Sequence, residues 1–182
     1  MTIIKTEVSF KFDSRIFLIG PMGSGKSTIG KLLAKELHYP FMDTDEVIVK
    51  RLGTSIVNIF AISGEAYFRQ YETKVLEEIT LNSPLVLSTG GGSILAKKNR
   101  EILKKRGQVV YLNVSPKEQY KRVQHDRNRP LLQDEHPQLI IKQLFEVREP
   151  LYKACAHYTI NSDKLTPSAV VEEIIHNVLH HP

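Results

Sequence analysis

Cysteine is almost missing from this chain, and that scarcity is the first limit on its chemistry. Cys155 is the single thiol, so neither an intrachain disulfide nor a thiolate metal site can be assembled, and a reducing, cytoplasmic setting is the expectation. The thiol itself reads as a small buried hydrophobe near a helix end. Long apolar runs are lacking too. No stretch approaches the roughly 20 residues that span a bilayer, and the first fifteen residues carry neither a signal-peptide core nor a cleavage pattern. No membrane is expected. The formal net charge is +5, but no contiguous Lys/Arg block interleaved with aromatics accompanies it. Nucleic acid is therefore not expected as a partner, and small anionic substrates give the charge a simpler use. The seven histidines include no His-Glu-x-x-His or comparable ligand cluster, so no protein-bound catalytic zinc is implied. Internal repeats, low-complexity tracts and linkers are absent as well.

What remains is an ordinary globular composition, 41% hydrophobic and 25% charged over 182 residues, enough for one domain with a sizeable core. One stretch organises it. Gly20-Pro21-Met22-Gly23-Ser24-Gly25-Lys26-Ser27-Thr28 fits G-x-x-x-x-G-K-[S/T] in full, between a short apolar run, Ile16 to Ile19, that reads as a buried strand and a helical pattern from Ser27 to Leu37. The backbone of such a loop curls around phosphate with its N–H groups turned inward, which side chains at the glycines would obstruct. Lys26 supplies a point charge between the β- and γ-phosphates, Ser27 a hydroxyl for Mg²⁺, and the helix N-terminus partial positive charge.

Along the chain, residues 2–15 form an extension with a possible edge strand at Glu7 to Phe12. Pro40 stops the first helix, and Tyr39 to Met42 leads as a strand into Asp43-Thr44-Asp45. Two carboxylates at a strand end suit chemistry; as caps of a helix Glu46 to Arg51 they have a blander use, and Asp45 can serve both. Helices follow at Ser55 to Ala61 and Glu65 to Thr80 around Ser63-Gly64. Arg69 and Glu72 share a face of the second. The strand Leu85 to Ser88 ends in Thr89-Gly90-Gly91-Gly92, where three glycines point to a ligand close to backbone, or to a simple crossover loop. A basic helix Ala96 to Arg106, a strand Gln108 to Val114 and a helix capped by Ser115 with Pro116 and Glu118 come next. The latter runs towards Arg122 and His125. Residues 126–132 are polar and basic, suited to a cover that brings arginines over phosphates or to a solvated loop. A helix Pro137 to Arg148, closed by Glu146 to Tyr152, a strand His157 to Ile160 and a final helix after Thr166-Pro167 complete the chain. The alternation gives an α/β fold with a mainly parallel sheet covered on both faces, and a crevice at the C-terminal strand edges.

A triphosphate with Mg²⁺ on one side and carboxylate, arginine and glycine backbone on the other describe phosphoryl transfer to a small polyol or acid. Taken together, Gly20 to Thr28, Asp43-Thr44-Asp45, Gly64-Glu65 with Phe68-Arg69 and Glu72, Thr89 to Gly92, Arg129 to Leu132, and Arg148 with Pro150-Leu151-Tyr152 resemble the shikimate kinase family over nearly the whole chain. The resemblance implies a three-layer αβα P-loop kinase fold, a five-stranded parallel sheet in order 2-3-1-4-5 and a lid. It implies transfer of the ATP γ-phosphate to the 3-hydroxyl of shikimate in the chorismate pathway, with Mg²⁺, by a monomer.

Carried over residue by residue, it makes Asp45 the base and a contact of the ring hydroxyls, and puts Asp43 near the metal through water, with Ser27 as metal ligand. Gly23, Ser24, Gly25, Lys26, Ser27 and Thr28 line the nucleotide. Arg129 is the lid arginine, catalytic with Lys26, and Arg122 stacks on adenine. Arg69 and Arg148 clamp the shikimate carboxylate, Gly91 and Gly92 offer backbone contacts, and Phe60 and Phe68 wall the pocket. One domain is expected, with its core at about 15–180, the lid at about 123–136 and an acceptor-binding region at about 44–72. Two other readings stay open at this point. Another small-molecule or nucleotide kinase of the same fold would consume ATP with a different acceptor, and a nucleotide switch would hydrolyse slowly whatever the acceptor.

Overall fold

The computed structural model describes residues 14–124 and 136–180. Five strands, β1 (Arg15–Ile19), β2 (Phe41–Asp43), β3 (Leu85–Ser88), β4 (Gln108–Asn113) and β5 (Tyr158–Asn161), form one sheet in the order β2-β3-β1-β4-β5, every pairing parallel. That is the expected order. Parallel strands need crossovers that cover both faces. Alternate residues therefore face two separate cores. Phe17, Ile19, Leu87, Val109 and Tyr111 join a cluster with Ile48, Phe68, Leu76, Leu103 and Tyr152. Ile16, Leu18, Val86, Val110 and Leu112 join another with Leu33, Leu37, Ile174 and Val178.

The first face is packed by α2 (Thr44–Leu52), α3 (Ile56–Ile79), α4 (Lys97–Arg106) and α6 (Pro137–Cys155), the second by α1 (Lys26–Leu37) and α7 (Pro167–His180). The remaining helix, α5 (Pro116–Val123), opens with Ser115 accepting from the Glu118 amide and Pro116 in its first turn, as its sequence predicts. Cys155 is buried at the last residue of α6. Among the described residues no single helix is long and apolar enough to cross a membrane.

Several boundaries differ from the sequence reading. Helix α1 closes at His38 in the left-handed conformation, two residues before Pro40. Helix α2 starts at Thr44, and its cap is Asp43, which accepts from the amides of Asp45 and Glu46. Asp45 thus lies inside the first turn and does not cap. The two helices expected around Ser63-Gly64 are present as the two halves of α3, kinked at Gly64, which leaves the helical conformation at φ 81° and ψ 164°. Helix α6 passes through Pro150 and ends at Cys155 rather than at Arg148. Pro150 forfeits one helical hydrogen bond on an exposed side, while the next turn buries Tyr152 and Cys155. The extension with its possible strand at Glu7 to Phe12, and most of the expected lid with Arg129, lie outside the described residues.

Candidate active site

The C-terminal ends of β1, β2 and β3 meet at the loop between β1 and α1. Gly25 turns the chain into α1 at φ 85°, a left-handed conformation that a side chain would strain. Lys26 then bends back over the loop. Its Nζ donates to the carbonyls of Gly20 at 2.8 Å and Pro21 at 2.9 Å and to Ser24 Oγ at 3.3 Å. Thr28 is exposed beside it on the first turn. Arg122 braces the loop from outside, donating to Glu118 Oε1 at 3.0 Å, to the Gly23 carbonyl at 3.2 Å and to the Ser162 carbonyl at 2.8 Å.

Behind Lys26, oxygen atoms converge. Ser27 Oγ donates to Asp43 Oδ2 at 2.6 Å and stands 3.4 Å from Ser88 Oγ. Two hydroxyls and one carboxylate are hard donors, the kind Mg²⁺ takes in small number while retaining most of its waters. Among the described residues no group of three or more His, Cys, Asp or Glu could hold a metal alone. The donor set therefore fits a magnesium ion shared with phosphate oxygens better than a caged metal.

The other wall is built on α3. Glu72 is fully buried and both its oxygens are engaged: Oε2 accepts from Arg69 Nη1 at 3.0 Å, Oε1 from Ser93 Oγ at 2.6 Å. Glu65 holds the same guanidinium at Nε, 3.2 Å, and Nη2, 3.1 Å. Burial works to lower the Arg69 pKa, but the two glutamates raise it above the ordinary value, so its charge is secure. The guanidinium also lies 5.9 Å from the Phe60 ring and 5.2 Å from that of Phe68, the rings themselves 4.9 Å apart. Gly92 presses against it. A methyl group there would stand 2.5 Å from Arg69 Cζ, so a side chain would have to displace the guanidinium from its glutamate partners. At Gly90 it would stand 2.6 Å from Glu72 Oε1 and 2.9 Å from Asp45 Oδ1.

Asp45 is the point where the two walls meet. Its carboxyl is pushed up to about 6, first by burial and then by Asp43 and Glu72, while Lys26 and Arg69 pull it down. Arg148 projects from α6 into a cleft shared with Met22, Gln119, Phe145 and Tyr152. Arg69 and Arg148 both act on the Tyr152 phenol, drawing down a pKa that burial raises far above its usual value.

Lys26, Asp45, Arg69, Gly92, Phe60 and Phe68 thus gather at one crevice, Arg148 lines the neighbouring cleft beside Tyr152, Arg122 braces the phosphate loop from outside, and Arg129 lies outside the described residues. Ser88, Ser93 and Glu65 are polar members to which sequence reasoning attached no role. Glu65 sits one turn before Arg69, and that spacing was the available signal.

The site can be compared with known proteins. The family model described as Shikimate kinase matches residues 22–179. A shikimate kinase from Chromohalobacter salexigens is 48% identical over 160 residues, covering 88% of this chain and 89% of that protein. The solved shikimate kinase from Acinetobacter baumannii in complex with shikimate is 43% identical, with a TM-score of 0.91 over 94% of this chain and 96% of that one. A gluconokinase structure from Sinorhizobium meliloti, 18% identical with a TM-score of 0.54 over 93% of each chain, shares the fold alone. A family match over nearly the whole length, on a crevice that joins a phosphate loop to a guanidinium seated on a buried carboxylate, gives the assignment: this chain belongs to the shikimate kinase family.

Proposed function

We propose that this crevice transfers the γ-phosphoryl group of ATP to the 3-hydroxyl of shikimate, giving shikimate 3-phosphate and ADP for aromatic amino acid biosynthesis. The observation that carries it is Asp45, a carboxylate set between the phosphate loop and Arg69, which burial, Asp43 and Glu72 push up to about 6 against the pull of Lys26 and Arg69. A group titrating there is a base at neutral pH that can still accept a proton. The 3-hydroxyl oxygen forms the new bond to phosphorus, the bond from phosphorus to the bridging oxygen of ADP breaks, and the hydroxyl proton passes to Asp45. Lys26 leaves its carbonyl partners for the phosphates, and Gly23, Ser24, Gly25 and Thr28 line them. Arg122 flanks the adenine, and Arg129 adds charge to the transferring group. Ser27 directly and Asp43 through water would hold Mg²⁺, which when bound neutralises phosphate charge. Arg69 and Arg148 grip the shikimate carboxylate, Gly91 and Gly92 offer backbone, and Phe60 and Phe68 form the apolar wall.

In the same reading residues 44–72 form the acceptor-binding region and residues 123–136 the covering lid, the latter on sequence grounds alone, within a single domain spanning about 15–180. The protein works as a monomer in the cytoplasm, on small molecules, without nucleic acid or membrane. Coupled ADP release by the purified chain, offered shikimate, gluconate and nucleoside monophosphates in turn, tests the proposal. ATP consumption that depends on shikimate is expected; slow hydrolysis indifferent to it, or turnover with another acceptor only, would overturn it.

A further inference from the structure

Tyr152 is 1% exposed, and its hydroxyl donates to the carbonyl oxygen of Gly91 at 2.5 Å. A buried phenol must find an acceptor, but this one takes it from a glycine turn rather than from its own helix. The ring has little freedom to do otherwise. It stacks on Tyr111 with centroids 4.9 Å apart and planes 17° from parallel, and the Tyr111 hydroxyl is itself engaged with Asn113 Oδ1 at 3.0 Å. Gly91 in turn lies where the two walls of the crevice touch. A methyl group added to it would stand 3.5 Å from the Gly20 carbonyl oxygen and 3.8 Å from the Met22 nitrogen, both in the phosphate loop.

We propose, on the reading of the crevice as the shikimate site, that Tyr152 is a positioning residue: its hydroxyl ties the Gly90–Gly92 turn to α6, so that Arg148 and the turn stay in one register against the phosphate loop. Three consecutive glycines have more conformational freedom than any other tripeptide. The carbonyls of Gly90 and Gly92 accept from the amides of Ser93 at 3.1 Å and Leu95 at 3.0 Å, and the Gly91 carbonyl between them is where α6 takes hold. Without that hold the backbone that meets the acceptor samples more conformations, and the acceptor must order it on binding. The hydrogen bonds of Lys26 run to Gly20, Pro21 and Ser24 and none of them to Tyr152, so the nucleotide side bears less of this cost.

The test compares Tyr152→Phe with Tyr111→Phe, since each removes one buried phenol hydroxyl and keeps the stacked rings. Losing one buried hydrogen bond predicts a shikimate KM about three- to tenfold higher in Tyr152→Phe, with a smaller change in kcat and the ATP KM within about twofold. Tyr111→Phe should keep the parental shikimate KM. Amide hydrogen exchange should quicken over residues 89–95 in Tyr152→Phe alone. An unchanged shikimate KM, an equal rise for both substrates, the same response in Tyr111→Phe, or loss of a cooperative melt in Tyr152→Phe would each overturn the positioning role. A parent protein whose ADP release ignores shikimate would instead bring down the reading of the crevice itself.

Discussion

Asp45 is held where its charge is costly, and that has consequences away from the reaction. Its folded pKa of about 6 stands above the ordinary 3.8, so the folded protein binds this proton more tightly than the unfolded chain does. The stability it contributes is present below about pH 4 and is lost as pH rises through 6. On that scale Asp45→Asn, which never ionises, should melt about 4–12 °C higher than the parent at pH 8, on the order of 2–3 kcal/mol, and little differently at pH 4. Scanning calorimetry at the two pH values checks it; equal melting at pH 8 would remove the strained carboxylate. The same variant should lose most turnover while keeping much of its shikimate affinity, and the parental kcat/KM should fall off below pH 6. Arg148→Lys is expected to act oppositely. Lysine lacks the planar fork that meets a carboxylate with two parallel hydrogen bonds, so shikimate binding should weaken by about tenfold or more while ATP binding changes little, as read by separate calorimetric titrations.

Among the elements, α3 and α6 mark how far sequence can be read. Gly64 sits at φ 81° and ψ 164°, a region nearly closed to residues with a Cβ, and nothing lies within 4 Å of where that Cβ would stand. Gly64→Ala should therefore cost backbone strain without a clash, about 1–3 kcal/mol, lowering the melting temperature while leaving the two halves of α3 helical by circular dichroism. An unchanged melt would mean that the kink relaxes freely. The break at Gly64, the phosphate loop and the strands themselves were legible because each rests on local chemistry: a glycine, a fixed spacing, a run of branched apolar residues after a turn; the order of the strands was available only through the family resemblance. The end of α6 was not. Pro150 argues locally for a stop, and what overrides it is the burial of Tyr152 and Cys155 one turn later, a tertiary fact that no window of sequence contains. The capping of α2 by Asp43 was ambiguous for a related reason, because two aspartates two residues apart offer the same oxygen to the same amides until packing chooses. Arg69 and Glu72 were paired by their spacing, but Ser93, which occupies the other oxygen of Glu72, comes from a distant turn.

For the molecule as a whole, ligands that bind only the folded chain should stabilise it in proportion to their occupancy. Shikimate at about a hundred times its dissociation constant should add about 2.7 kcal/mol, a rise of roughly 5–10 °C in a protein of this size. Thermal melts with shikimate and ATP singly and together read this directly, and Gly92→Ala, whose methyl group would meet the Arg69 guanidinium, should keep the ATP shift and lose most of the shikimate one. The sheet explains why the two responses can separate. Its strands send alternate side chains to two cores that never merge, one beneath α2, α3, α4 and α6 and one beneath α1 and α7. The acceptor crevice grows from the first and the helix that follows the phosphate loop is bedded in the second, with the strands standing between them as a party wall. Packing on one side of that wall can be altered while the other side stays as it is. The two ligands nevertheless meet above it, at the strand ends where Asp45 stands between Lys26 and Arg69, so a new diet of hydroxyl compounds has to be served at a table the triphosphate already occupies.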